Sequence, residues 1–372
     1  MNKKQTLVCK GTAIILMYIH HLFSNQEIIG NYGVDFVICE TNTMVRIAQL
    51  CKCCVAIFVF LSAYGMTASY NQAGIDGKVK ETTQFTVNRY LKLLSGFLFI
   101  YILALLVGCI PGGGYSRFAI YGEDRVMAVI NAIFDALGIA YAFSLPQYCD
   151  TWWYMGYAVL LIVIFPVFVK LVKKFGIIVF PMSIGLMLFM GISTSYAFVK
   201  YLLSALGGII IAEYKVFEKI QDALKERHKK LIAIGLTIVL AMILAKLRLR
   251  YNNLNYLLDA FLAPLIVWLS YYVIGKVKIF SSILEFLGKH SANMFMIHTF
   301  IFYYFFMDFS YSFGNGELIL GVLILDTLAI SILIELIKKY CGWNKLFQKL
   351  IQISNRCIEK IYLLEPKKDS CC

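Results

Sequence analysis

The chain has 372 residues, 60% of them hydrophobic and 15% charged, with a mean hydropathy of +0.73. A soluble domain is about 45–50% apolar and roughly a quarter charged, so this composition excludes a large water-soluble helical bundle. The formal charge of +13 raises the question of nucleic acid, and the placement of the cations answers it.

Apolar runs near the length that crosses roughly 30 Å of hydrocarbon recur along the chain. They predict an all-α, polytopic transmembrane helical bundle of about ten spans, at 8–25, 50–70, 91–110, 152–169, 176–194, 197–213, 231–247, 255–274, 292–308 and 317–337. With the N-terminus inside, the alternate connections and both tails hold 27 of the 35 Lys and Arg residues. The other side holds Arg46, Lys52, Arg117, Arg125, Lys200, Lys246, Arg248 and Arg250. This is the positive-inside bias, with both termini cytoplasmic, and it accounts for the basicity without a nucleic-acid partner.

The first span starts with Lys3 and Lys4, but Lys10 interrupts its apolar region and no small-residue cleavage site follows. It is expected to stay as a helix and not to be removed as a signal peptide. Residues 126–144 are apolar enough for an eleventh span. Counting them would put the later basic connections outside, so they are expected to be partly inserted or surface-lying on the outer face, with Asp135 in their middle. PGGGYS at 111–116 reads as an outer turn, and KIQDALKERHKK at 219–230 as a short charged helix. The tail WNKLFQKLIQISNRCIEKIYLL sets apolar residues at helical spacing between cations and predicts an amphipathic helix on the inner leaflet. The expected organisation is a membrane domain over 1–340 and a cytoplasmic amphipathic tail over 341–372. No repeat relates the two halves, which disfavours an inverted-repeat transporter. CKCC at 51–54 has no zinc spacing and reads as packing cysteines, and no metal is expected. Cys371–Cys372 is not a prenylation box.

Ionisable residues inside spans are expensive and therefore candidates for function. Here they are Lys10, His20, His21, His298, Asp326 and Glu335, with Arg89 and Lys92 at an inner boundary. Glu335 lies near Lys338 and Lys339 and reads as their partner. Asp326 reads as a buried protonated acid or a helix–helix hydrogen-bond partner. Lys10 and His21 are eleven positions apart, about 16 Å of helical rise and about three turns, so they point to a similar side, with His20 about 100° away. Either this is a snorkelling lysine with interfacial histidines, or a histidine set to take a proton from a hydroxyl near neutral pH. Arg89 and Lys92 share a helix face at i and i+3. They are either membrane anchors or, with Lys10, a cationic pocket suited to phosphates.

These residues resemble acyltransferase family 3, integral-membrane proteins that O-acylate cell-surface and exported glycans. The family's first span carries Arg, ten residues, then His; KGTAIILMYIHH supplies Lys10 and His21. VAIFVFLSAYGM resembles its phenylalanine-rich second span, with Ser62 and Ala63 in place of Ser-Gly. Arg89–Tyr90–Leu91–Lys92 resembles its Arg-x-x-Arg. TWWYMGYAVLLIVIFP resembles its Trp-Phe-Leu segment, with Trp153 and Pro166, and LGKHSANMFMIH its late Gly-x-x-Ser element, ending in His298. Lysine twice replaces arginine, which keeps charge but loses bidentate phosphate binding. The glutamates that often follow the Trp-Phe-Leu element are absent, with Ala158 and Val159 there.

The resemblance implies an O-acyltransferase in a bacterial cell membrane. It would move an acyl group, acetyl in the simplest case, from cytoplasmic acetyl-CoA or another acyl-CoA to a hydroxyl of an envelope or exported glycan. Its partners would be acyl-CoA, the glycan and the lipid bilayer, with no permanently bound cofactor. His21 would be the general base, and Lys10, Arg89 and Lys92 would hold the phosphates of acyl-CoA. His298, His20, Trp153 and Ser62 would be supporting residues, Ser62 either a relay or a packing serine. A transporter or flippase, with Lys10, His21 and His298 lining a path, is the alternative. A membrane protein without chemistry is a further one.

Overall fold

The computed structural model describes residues 1–191, 193 and 196–364. Cys371 and Cys372 lie outside the described residues, as do Ile192 and Thr194 at the end of the expected fifth span. The described residues are mostly helical. The first half holds α1 (Lys3–Phe23), α2 (Gln26–Asn31), α3 (Thr41–Cys51), α4 (Cys54–Gln72), α5 (Val79–Gly108), α6 (Arg125–Ala136), α7 (Trp153–Phe175) and α8 (Val179–Phe189). The second holds α9 (Ala197–Glu213), α10 (Val216–Ala223), α11 (Arg227–Arg250), α12 (Asn255–Tyr272), α13 (Lys278–Thr299), α14 (Met307–Tyr311), α15 (Gly316–Tyr340) and α16 (Trp343–Leu364).

Seven stretches among the described residues are long and apolar enough to cross a membrane, and α9 with α10, bent by 58°, makes an eighth if taken as one. The protein is thus a multi-pass helical membrane protein, and two places separate these stretches from the ten expected spans. Residues 152–169 and 176–194 fall within one stretch, Asp150–Phe189, interrupted by the turn Gly176–Ile178. Gly176 takes φ 68°, which only glycine adopts freely. The expected span at 292–308 is divided between the end of α13 and a π-helical turn, Phe300–Phe305. Helix α13 begins at Lys278 and also carries Glu285 and Lys289, so its apolar part is short.

The chain forms two compact units. The first comprises Met1–Ala68 and Val167–Ile332. Helix α1 lies at its centre and packs on α13, α3 and α12, while α12 also carries α9 and α11. Ile14, Met17, Tyr18 and Leu22 recur at three- and four-residue spacing on α1. They meet Leu287 and Met294 of α13 and Leu323 of α15, the single buried face such spacing specifies.

The second unit comprises Ser69–Pro166 and the described part of Leu333–Cys372. The described tail residues 341–364 fall in this unit with residues 69–166 and 333–340. Helix α16 forms as its periodicity predicts and runs along α5. Trp343 donates its indole N–H to the Ser95 carbonyl at 2.9 Å, and Tyr362 meets Thr83 at 3.1 Å. Leu346, Leu350, Ile353 and Ile361 form an apolar stripe left exposed. Residues 126–144 are no continuous span: the 12-residue α6 is followed by a 3-10 turn, Ala140–Phe143. Val126, Val129 and Ile133 point outward, and Asp135 points inward. Its Oδ2 accepts from the Tyr121 hydroxyl and the Tyr148 amide, both at 2.7 Å. Burial pushes this carboxyl up to about 6, against the pull of those two donors.

Candidate active site

Two glycines set how closely α1 approaches α13. A Cβ at Gly11 would overlap the carbonyl of Leu284, and one at Gly288 would overlap that of Leu7. Each helix thus presents a bare backbone patch to the other, and both patches lie in the segments KGTAIILMYIHH and LGKHSANMFMIH. The crossing brings the far ends of these segments together. The rings of His21 and His298 have centroids 4.9 Å apart, tilted by 59°.

His298 is fully buried and held on every side. Tyr18 stacks on one part of its ring at 5.6 Å and Phe302 on another at 5.7 Å. Its Nδ1 lies 2.6 Å from the Phe295 carbonyl. A carbonyl only accepts, so Nδ1 carries the hydrogen and Nε2 holds the lone pair, near the Thr299 hydroxyl at 3.4 Å. Tyr18 is fixed in turn by donating to Thr327 at 2.8 Å. His20 turns to α3, where its Nδ1–H donates to the Ala48 carbonyl at 2.9 Å.

His21 is different. Its half-buried ring touches those of His20 at 5.2 Å, His298 at 4.9 Å and Phe302 at 6.0 Å. Among the described residues it makes no hydrogen bond, so both ring nitrogens remain available. The expected divergence of His20 from His21 is present: one faces α3, the other α13.

The remaining candidates fall in several places. Lys10 is half-buried on α1, one residue before Gly11. Two open pockets lie at that end of the helix. One of about 400 Å³ is lined by Asn2, Gln5, Phe217, Glu218, Gln221 and Tyr271. A neighbour of about 130 Å³ adds Lys4 and Lys276, two cations the sequence reading passed over. Lys4 also pairs with Glu285 at 3.3 Å. Arg89 and Lys92 belong to the second unit, on α5. The Arg89 guanidinium lies over the Phe85 ring at 5.1 Å, and Lys92 is exposed.

Trp153 also belongs to the second unit, half-buried against Tyr141 at 5.9 Å. Its neighbour Trp152 is the fully buried one, against Phe97 at 5.0 Å. Ser62, half-buried on α4, makes no hydrogen bond to a described residue, so no base is joined to it. Asp326, expected as a hydrogen-bond partner or a protonated acid, likewise makes no hydrogen bond among the described residues. Glu335 pairs with Lys338 at 3.0 Å, as its spacing implies. Cys51, Cys53 and Cys54 are buried. No group of three His, Cys, Asp or Glu side chains among the described residues could hold a metal ion.

An ion pair was missed. Arg248 at the end of α11 donates through Nε to Asp259 of α12 at 2.5 Å and through Nη2 at 3.3 Å, both residues being buried. Its Nη1 donates to the Gln49 carbonyl at 3.0 Å. Asp259 in NYLLDAFLAPLIV was visible as an acid inside an apolar run, by the same rule that picked out Asp326.

The model of acyltransferase family 3, an acyltransferase domain, matches residues 8–336, and the chain belongs to that family. It is a membrane acyltransferase. No curated protein and no solved structure matches the chain.

Proposed function

We propose that the protein moves an acyl group, acetyl in the simplest case, from cytoplasmic acyl-CoA to a hydroxyl of an envelope or exported glycan, with His21 as general base. One observation carries this reading. His21 is the histidine of the group without a hydrogen bond, while His298 and His20 each spend Nδ1–H on a backbone carbonyl. A base must have a lone pair to offer the incoming hydroxyl, and a neighbour that fixes its ring.

In the proposed reaction a ring nitrogen of His21 takes the acceptor's hydroxyl proton. The oxygen attacks the thioester carbonyl and a tetrahedral intermediate forms. The C–S bond then breaks, and the CoA sulfur leaves with the proton from His21. His298, itself held by Tyr18, orients the His21 ring, and neither touches the reacting atoms. Ser62 has no adjacent base, which favours direct attack by the acceptor over a serine relay.

With both termini inside, Lys10 lies towards the cytoplasmic end of α1, about 16 Å of helical rise from His21. Lys10 would hold the phosphates of acyl-CoA at that end, and Arg89 and Lys92 of α5 are proposed as donor-binding cations in their own right. The pocket lined by Lys4 and Lys276 supports a donor mouth there. The pantetheine arm would run along α1 to the histidines. Family membership favours an enzyme over a transporter, and the test separates them. Purified protein in detergent should consume acetyl-CoA when given a glycan acceptor, and cells with the gene should carry more glycan ester than cells without it. Activity that requires a sealed compartment would instead support a transporter.

A further inference from the structure

A groove of about 260 Å³ runs down the first unit where α11 and α12 meet α1 and the α3–α4 junction. Leu16, Cys51, Cys53, Met242, Ala245 and Ile266 are among its lining residues, and no residue that lines it is charged. One end is closed by charge. Arg248 lies three residues beyond Ala245 on α11, and Asp259 three residues before Leu262 on α12, so their ion pair sits one turn past the groove. Lys52 lies in sequence between the two lining cysteines.

The charges at this end do not cancel. Asp259 is taken by two of the three guanidinium nitrogens of Arg248. Lys52 stands at the α3–α4 junction between the lining Cys51 and Cys53, and Lys200 is on α9, which packs on the Asp259 helix α12. Neither makes an ion pair with a described carboxylate. Lys52 is exposed, and Lys200 lies over the Tyr201 ring at 5.9 Å. Lys52, Lys200 and Arg248 are among the eight cations that run against the positive-inside bias, so orienting the protein does not explain them.

An apolar groove ending in two uncompensated cations matches a ligand with a hydrocarbon chain and an anionic head. A neutral lipid would leave the lysines unmatched, and a free phosphate would leave the groove unfilled. We propose that this is a binding site for a phosphate-headed membrane lipid, and that the acceptor hydroxyl reaches His21 as part of such a lipid. The chain lies in the groove and the phosphate beside Lys52 and Lys200. His20 bonds the Ala48 carbonyl of α3, the helix whose end supplies Leu50 and Cys51 to the groove, which puts the head at the histidine end. The binding claim stands apart from the acyltransferase reading; the role of the lipid as acceptor rests on it.

The test uses the full chain in phosphatidylcholine vesicles doped with a photoreactive phosphatidic acid, or with the diacylglycerol bearing the same chains. No acyl-CoA is present, so the outcome does not depend on catalysis. Labelling by phosphatidic acid should concentrate on α11, α12 and the Cys51–Cys53 region, and exceed that by diacylglycerol. Lys52→Ala and Lys200→Ala should each lower it about fivefold, the weight of one cation beside an anionic headgroup. Met242→Trp, at an exposed position, should block labelling by filling the groove. Inorganic phosphate should not compete. Equal labelling by the two lipids, labelling spread over the lipid-facing helices, or indifference to both lysines would mean bulk lipid only and would overturn the site. Competition by inorganic phosphate would assign the lysines to a free anion and overturn it as well. A chain labelled as described but inactive with acyl-CoA would count against the proposed reaction and leave the lipid site standing.

Discussion

Arg248–Asp259 and His21–His298 are both polar groups set among apolar helices of the first unit, and they are handled in opposite ways. In the ion pair each guanidinium nitrogen and each carboxylate oxygen has a partner: two guanidinium–carboxylate bonds and a third to the Gln49 carbonyl. In the histidine pair one ring is locked by Phe295, Tyr18 and Phe302, and the other meets only rings. Buried polar groups that serve the fold are satisfied, because leaving them unsatisfied is costly. A half-buried group left unsatisfied beside a rigid neighbour is a place where a substrate can supply the missing partner. Asp135 in the second unit lies between the two: Oδ2 accepts two hydrogen bonds and Oδ1 is buried without one.

This contrast can be broken first at the ion pair. Arg248→Met should leave Asp259 buried and alone, at a cost of about 3–5 kcal/mol in stability. Adding Asp259→Leu should recover most of it. Thermal unfolding in detergent reads both, and a single mutant as stable as the wild type would show that the pair does not hold the fold. At Asp135 the effect is smaller and depends on pH. Its carboxyl is raised from 3.8 to about 6, so between these values the unfolded chain loses the proton first and stability falls as pH rises. The penalty is absent below about 3.8, complete above about 6, and at most about 3 kcal/mol. Asp135→Asn should remove this slope from melting curves taken across that range, and a flat wild-type profile would contradict the assignment.

The donor cations come next. Lys10→Ala should raise KM for acyl-CoA about ten- to a hundredfold, the weight of one charge-assisted contact, with less effect on kcat. Lys10→Arg should be the mildest change at that position, and Arg89→Ala and Lys92→Ala should act in the same sense. Dephospho-CoA binding supplies the check: at least one of the three alanine variants should be nearly indifferent to loss of the 3′-phosphate. Ser62→Ala should have the smallest effect of all, with acyl-CoA turnover unchanged.

Much of the histidine site could be read from residue spacing, because α1 is one unbroken helix and eleven residues at 100° each keep Lys10 and His21 on a similar side. The divergence of His20 follows from the same angle. What spacing cannot reach is contact between distant segments. The tautomer of His298 depends on the Phe295 carbonyl, a backbone atom that no pattern of side chains reveals. The Arg248–Asp259 pair forms across the turn between α11 and α12, and counting Arg248 only as an outer cation hid it. Trp152 and Trp153 are adjacent, so the choice of the buried one waited on where α7 begins. The span at 292–308 was drawn over an apolar run whose backbone changes to a π-helical turn just after His298.

The central claim is that His21, the histidine without a partner, performs the proton transfer. Acetyl-CoA turnover by the purified full chain, with a glycan acceptor, tests it most directly when wild type, His20→Ala and His21→Ala are compared at matched thermal stability. The account predicts a fall of about 10²–10⁴-fold for His21→Ala and a much milder one for His20→Ala. Near-wild-type turnover by His21→Ala, or a larger loss in His20→Ala, would contradict it.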